Sequence, residues 1–332
     1  MSEKVTISDV ADALGVSKTT VSRAISGKGR VGADTRKRVL DYIEAHDYQP
    51  NVAAKSLATS RTYNLALILP DDYHMIDMQF FQKCMMGVCE MATTLDFDVV
   101  IGMINEKDIT QLRRLVSQKK VEGVILTRTW TKDSAIEYLK QTDIPFVTIG
   151  TTEDDSVIQI DNDHTGACLE LTGILLSRGM KHIALIGGNQ SLVITRKRYE
   201  GFVKAFENLG LQPDPDLVYM DIESQLTVEN TVEQLLEKGA DCILCMDDSI
   251  CNYAINKLLR MNIRIPEDVA VASFYNSSVL ENHIPSVTSL QFDARELGIL
   301  SCKTLLDKID GKEIESSTVL GYEVSMKEST KK

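Results

Sequence analysis

Apolar side chains recur at helical spacing in three short stretches near the start of the chain: Ile7, Val10, Ala11 and Leu14, then Val21 and Ile25, then Val39, Tyr42 and Ile43. Steps of three and four residues place each set on one helix face, so the pattern predicts three helices closing a small core. Thr6 is placed to cap the first helix, Gly15 to end it and Ser17 to cap the second, while the third runs from about residue 35 to 46. From Tyr63 the pattern changes. Apolar runs of strand length at 65–69, 98–101, 123–126, 145–149, 182–186, 241–245 and 269–272 alternate with amphipathic stretches near 79–95, 107–119, 132–141, 164–178, 196–209, 225–238 and 248–261. A last helix is expected over 293–309. Short buried strands alternating with helices predict parallel, doubly wound sheets, and so many strands predict two of them.

The segment between these patterns is distinct. Asp47-Tyr48-Gln49-Pro50 ends the third helix, because proline disfavours helix in the residue before it. Asn51-Val52-Ala53-Ala54-Lys55-Ser56-Leu57-Ala58 then favours helix but falls short of the roughly 12 to 15 residues that an isolated helix needs in water. It is expected to be unstructured until a partner orders it.

A length of 332 residues exceeds one ordinary core, and the charge shows where the parts differ. The net charge of -12 divides into +3 for residues 1–62, with ten Lys or Arg against seven Asp or Glu, and -15 for the remainder. A basic head on an acidic body confines contact with a polyanion to one end. No run approaches the 20 or so apolar residues of a membrane span, and no charged, apolar and small-residue leader pattern is present, so the expected location is the cytoplasm. Seven cysteines without framework spacing agree with a reducing compartment. Cys242 and Cys245 lie three apart in an expected buried strand and so point to opposite faces, which speaks against a shared metal; no metal or cofactor is expected.

Residues 6–24 read as a helix-turn-helix. With Val21 and Ile25 turned inward, Lys18, Thr19, Ser22 and Arg23 form a short polar and cationic outer face, as a helix lying in a DNA major groove requires. A hairpin used only for packing has no need of that stripe.

The segments Thr6-Ile7-Ser8-Asp9-Val10-Ala11, Gly15-Val16-Ser17, Thr20-Val21-Ser22-Arg23, Tyr48-Gln49-Pro50-Asn51 and Ala54-Lys55-Ser56-Leu57 resemble the DNA-binding headpiece and hinge of the lactose-repressor (LacI/GalR) family. The resemblance implies a homodimer holding two headpieces on pseudo-palindromic double-stranded operator DNA. It implies DNA contacts from Thr6, Ser8, Ser17, Lys18, Thr19, Thr20, Ser22, Arg23, Asn51, Ala54 and Lys55, with Lys18, Thr19 and Arg23 reaching base edges. Leu57 would be an apolar wedge in the minor groove. It also implies a small all-α headpiece over 1–50, a hinge over 51–62 and an α/β body over 63–332 like the periplasmic sugar-binding proteins. That body would have two lobes, one of 63–161 plus about 291–325, the other of about 162–290 plus the C-terminal end, joined by three crossovers.

Open parallel sheets bind ligands beyond the carboxyl ends of their strands, so the loops there are the place for a small-molecule effector. The candidates are Tyr73, Phe81, Thr127, Arg128, Trp130, Arg198, Asp247 and Tyr275. Arg198 lies in Arg-x-x-Gly-Phe, which resembles the family segment whose arginine grips effector hydroxyls or a carboxylate. Asp247 falls where relatives have an Asn or Asp that bonds the ligand, with Asp248 beside it expected to cap the next helix. Tyr275 departs from the pattern: many sugar-binding members have an aspartate there, and a phenol cannot accept two hydroxyl protons as a carboxylate does. Arg128 and Trp130 would offer a charge and a stacking face, suited to an anionic, aromatic or larger glycosidic ligand.

No nucleophile elbow, phosphate-binding loop, zinc-protease motif or dinucleotide fingerprint is present, and the five histidines share no motif, so an enzyme is not expected. A regulator using a phosphoprotein corepressor and a solute receptor without DNA binding are the alternatives. The headpiece and the missing leader pattern speak against the second.

Overall fold

A computed structural model describes residues 5–26, 29–46, 48, 61–71 and 79–331. Contacts divide the chain into two units, Met1–Thr62 and Tyr63–Lys332. In the first, α1 (Ile7–Leu14), α2 (Lys18–Ser26) and α3 (Ala33–Ala45) enclose a core of Val10, Ala11, Val21, Ala24, Val39 and Tyr48. The side faces of that core are closed by the partly buried Ile7, Leu14, Ile25, Tyr42 and Ile43. The turn between α1 and α2 depends on Gly15, whose φ of 66° lies in the left-handed region that costs other residues energy. The third helix starts earlier than its apolar pattern implied, after Gly32, because its first turn is exposed and carries no core residue. The hinge expected over 51–62 lies outside the described residues except at its last two positions.

The second unit contains two six-stranded sheets. The first consists of β1 (Asn64–Pro70), β2 (Asp98–Ile104), β3 (Gly123–Leu126), β4 (Phe146–Ile149), β5 (Gln159–Asn162) and β11 (Ser317–Leu320), ordered β11-β5-β4-β3-β1-β2 and parallel throughout. One face is covered by α4 (Gln79–Thr93) and α12 (Ala294–Ile309), the other by α5 (Thr110–Ser117) and α6 (Ser134–Leu139). The second sheet consists of β6 (Ile183–Ile186), β7 (Val218–Tyr219), β8 (Cys242–Cys245), β9 (Ala270–Ser273), β10 (Thr288–Gln291) and β12 (Glu323–Ser325), ordered β12-β10-β9-β8-β6-β7. Only β12 runs antiparallel. Its core includes side chains from α7 (His164–Ser177), α8 (Val193–Glu207), α9 (Gln225–Glu237), α10 (Asp248–Arg260) and the short α11 (Ser278–Glu281).

Between the lobes the chain passes after β5, after β10 and after β11. The last passage corrects the expected boundary near 325. It falls between Leu320 and Glu323, because Glu323–Ser325 pairs with β10 in the second sheet. On the first lobe α4 and α12 cross backbone to backbone: a Cβ on Gly87 would lie 2.0 Å from the Arg295 carbonyl oxygen, and one on Gly298 2.1 Å from that of Cys84. Any side chain there would push apart the two helices, one of which carries Gln79, Phe80 and Phe81 at its start. No helix among the described residues is long and apolar enough to cross a membrane.

Candidate functional site

The first-unit surface begins with its caps. Thr6 and Asp9 form a reciprocal capping box, and the hydrogen bonds from Thr6 hold the Asp9 carboxyl below its ordinary value. Ser17 Oγ accepts the Thr20 amide at 3.1 Å and bonds the Thr20 hydroxyl at 2.9 Å, which orients the first turn of α2. Lys18, Thr19, Ser22 and Arg23 are exposed on that helix, as its inward set of Val21 and Ala24 requires. Thr6 and Ser17 are exposed at the helix starts, while Ser8 and Thr20 are half-buried. Arg38 donates to the Leu14 carbonyl at 3.1 Å and so ties α3 to the end of α1. Asn51, Ala54, Lys55 and Leu57 lie outside the described residues.

In the second unit the carboxyl ends of the strands bring together residues far apart in sequence. Arg198 projects from α8 and is 7% exposed; one guanidinium nitrogen donates to the Met246 carbonyl at 2.7 Å. That carbonyl immediately precedes Asp247, the N-cap of α10, whose Oδ1 accepts the Ile250 amide at 2.8 Å. Asp247 therefore takes the capping role expected of Asp248, because its extended backbone leaves its carboxylate over the helix end. Burial, reinforced by the charge of Asp248, raises the Asp247 carboxyl to about 6, against the pull of the cap bond and Arg198. Tyr275 is buried as well, and desolvation pushes its phenol well above the ordinary value.

Aromatic rings connect the lobes here. Phe80 meets Phe81 at 5.3 Å and Tyr275 at 6.0 Å between centroids, both edge-on, and Tyr275 lies parallel to Phe292 at 6.4 Å. The Arg128 guanidinium stands 5.4 Å over the Phe81 ring, a cation–π geometry. Gln79 Oε1 adds a polar link by accepting from the Ser278 amide at 3.1 Å and its hydroxyl at 3.0 Å.

One expected contact requires correction. Trp130 does not present an open stacking face. It is buried in the first lobe's core beside Leu192, and the backbone around it forms a seam: Trp130 and Leu192 bridge, Thr131 N–H donates to Ser191 at 2.8 Å, and Val193 N–H donates to Thr129 at 3.2 Å. The Thr127 hydroxyl is committed to the Ile68 carbonyl at 2.8 Å, where it secures the ends of β1 and β3. Tyr73 lies outside the described residues.

The sequence reading missed Asp161, Asn162 and His164 at the first passage between lobes. His164 Nε2 is 3.2 Å from Asp161 Oδ1, and the same carboxylate accepts the amides of Asn162 at 2.8 Å and Thr151 at 3.0 Å. Burial works to raise the Asp161 carboxyl, but His164 and these amides outweigh it and leave the group below its ordinary value. Asn162 Nδ2 and Oδ1, His164 Nδ1 and Arg198 Nε are buried without a hydrogen-bond partner among the described residues. The available signal was position: Asn162 closes a strand at its carboxyl end.

Residues 6–51 match the family model of bacterial regulatory proteins of the lacI family, and residues 172–330 match that of the periplasmic binding protein-like domain. The HTH-type transcriptional regulator RegA of Clostridium saccharobutylicum is 30% identical over 335 residues, covering 98% of each chain. The transcriptional regulator CelR in complex with cellobiose has a similar structure, with a TM-score of 0.74 and 26% identity over 98% of this chain and 99% of that one. The Lac repressor dimer bound to operator and the anti-inducer ONPF matches in fold, with a TM-score of 0.81 and 23% identity over 99% of both chains.

Proposed function

This chain belongs to the LacI family of bacterial regulatory proteins and is a DNA-binding transcriptional regulator, and from that premise we propose that a neutral sugar or glycoside in the interlobe cleft sets its operator affinity. The supporting observation is the convergence of Arg198, Asp247 and Tyr275 from three different loops and helices of the second lobe, opposite Phe80 and Phe81 of the first. Arg198 supplies donors, Asp247 an oxygen near the threshold of ionisation, and the rings an apolar wall for a sugar's C–H face. The buried carboxyls Asp161 and Asp247 disfavour an anion there, despite Arg128 and Arg198. The cellobiose of the CelR complex is a ligand of the same chemistry in a related body.

The chain acts as a cytoplasmic homodimer on double-stranded, pseudo-palindromic operator DNA. Residues 1–50 form the headpiece, 51–62 the hinge and 63–332 the body. Lys18, Thr19 and Arg23 read base edges; Thr6, Ser8, Ser17, Thr20, Ser22, Asn51, Ala54 and Lys55 hold the register on the backbone, and Leu57 wedges the minor groove. A ligand touching both lobes favours one interlobe angle, and the first lobe, which follows residue 62 directly, transmits the change to the hinge. No catalytic role is assigned to any residue.

Fluorescence anisotropy on a labelled pseudo-palindrome tests this reading in the presence of glucose, galactose, maltose, cellobiose and their phosphates. A change in operator affinity with a neutral sugar is expected. A response confined to the phosphates would overturn the neutral ligand, and failure to distinguish the palindrome from random DNA would overturn operator recognition.

A further inference from the structure

Asp161-Asn162-Asp163-His164 places four polar side chains in succession, and only two of them are fully used by the fold. Asp163 caps α7 by accepting the Gly166 amide at 2.8 Å. Asp161 takes two backbone amides and His164 Nε2, which fixes the imidazole ring. Asn162 is 3% exposed, yet neither atom of its amide has a partner among the described residues. His164 is 4% exposed, and its Nδ1 is in the same condition. Burying such groups unpaired costs free energy, so their retention calls for a compensating partner.

Their surroundings belong to the cleft. The His164 ring stands 4.7 Å from Phe292, which lies parallel to Tyr275. Thr165, the next residue of α7, donates its hydroxyl to the Lys197 carbonyl, so the first turn of α7 lies against the turn of α8 that carries Arg198. Arg198 Nε is a fourth buried atom without a partner among the described residues.

We propose that Asn162 and His164 are specificity-determining contacts of the effector, reading hydroxyl groups at the cleft floor alongside Arg198. The proposal rests on the reading of the cleft as a sugar site. Nε2–H donates to Asp161, and Nδ1 accepts in the imidazole or donates in the imidazolium, either of which a hydroxyl can meet. Asn162 Oδ1 is an acceptor, while Asn162 Nδ2 and Arg198 Nε are donors. A hydroxyl both donates and accepts, so a polyhydroxylated ligand can satisfy all four atoms. A carboxylate or fully ionised phosphate brings acceptors only and leaves Oδ1 unmet. Asp161 is a positioning residue that acts through His164.

The test uses the full chain, with glucose, galactose, maltose and cellobiose as probes in thermal-shift and calorimetric titrations of wild type, Asn162→Leu and His164→Gln. At least tenfold weaker binding of a sugar that stabilises wild type is expected in both variants, with sugar-free operator affinity unchanged. Wild-type sugar affinity in both variants overturns the proposal and leaves the sugar site standing. If no sugar stabilises wild type, the sugar reading fails, and the ligand-free Tm of Asn162→Leu decides the rest. An unchanged or higher Tm upholds a ligand-facing amide, and a fall of several degrees assigns the amide to the fold and overturns it.

Discussion

The headpiece and the cleft handle polar side chains in opposite ways. In the headpiece, Lys18, Thr19, Ser22 and Arg23 stand in solvent above a dry core of Val10, Val21, Ala24 and Val39, and the helix-start hydroxyls are occupied by caps. In the cleft, Asn162, His164, Arg198 and Asp247 are buried, three of them with atoms that have no partner among the described residues and the fourth with a raised carboxyl. An extended, hydrated polyanion is met by charges that stay in water, whereas a small neutral ligand is distinguished by groups removed from water, where an unmet bond is expensive. Stability and recognition are therefore separable in the headpiece and opposed in the cleft.

Mutations can break or sharpen that contrast. Arg198→Ala should weaken sugar binding by about 100-fold, or about 3 kcal/mol, and leave sugar-free operator affinity intact; calorimetry and anisotropy on the same sample measure both. Arg23→Ala should reduce discrimination between operator and random DNA by roughly 1 to 3 kcal/mol without altering the melting of either unit, and undiminished discrimination would remove its base-reading role.

Asp247→Asn probes the cost of a buried acid. The folded protein holds the Asp247 proton more tightly than the unfolded chain, with a value of about 6 against 3.8. The stability this confers is fully present below about 3.8 and is lost as pH rises through about 6. Asparagine can still cap α10 and carries no charge, so the variant should be more stable than wild type by on the order of 1 to 3 kcal/mol at pH 7.5. The gap should close toward pH 4; parallel melting curves at all pH values would contradict the raised carboxyl. The smallest effect is expected for Thr6→Ala, which removes one cap and should lower the headpiece melting temperature by roughly 4 to 8 °C while the body's transition stays in place.

The sequence made the repetitive parts legible. Leu67, Ile125, Leu185 and Leu244 lie in apolar runs long enough to announce a buried strand, and the helices between them could be bounded within a few residues. The strands that escaped are those with little apolar content or length. Gln159–Asn162 and Thr288–Gln291 each contain one aliphatic residue, Val218–Tyr219 is two residues long, and Ser317–Leu320 and Glu323–Ser325 lie at sheet edges. Their pairing is set by neighbours distant in sequence, which a local period cannot register. Site residues followed the same division. Arg198, Asp247 and Tyr275 could be placed by strand-end position and family resemblance, and they converge. Trp130 and Thr127 obey the same positional rule, yet their side chains turn to the core and to a backbone carbonyl, a choice made by rotamer and neighbour. Asn162 and His164 went unnoticed because a polar strand end and an isolated histidine signal nothing until burial shows what they lack.

Trp130 has a further use in its position at the interlobe seam. It is the chain's sole tryptophan, and its ring lies beside Leu192 where the two lobes are stitched by backbone hydrogen bonds. The protein thus carries an unlabelled optical gauge: indole emission will shift when water reaches the seam, which makes lobe separation readable in real time and independently of DNA.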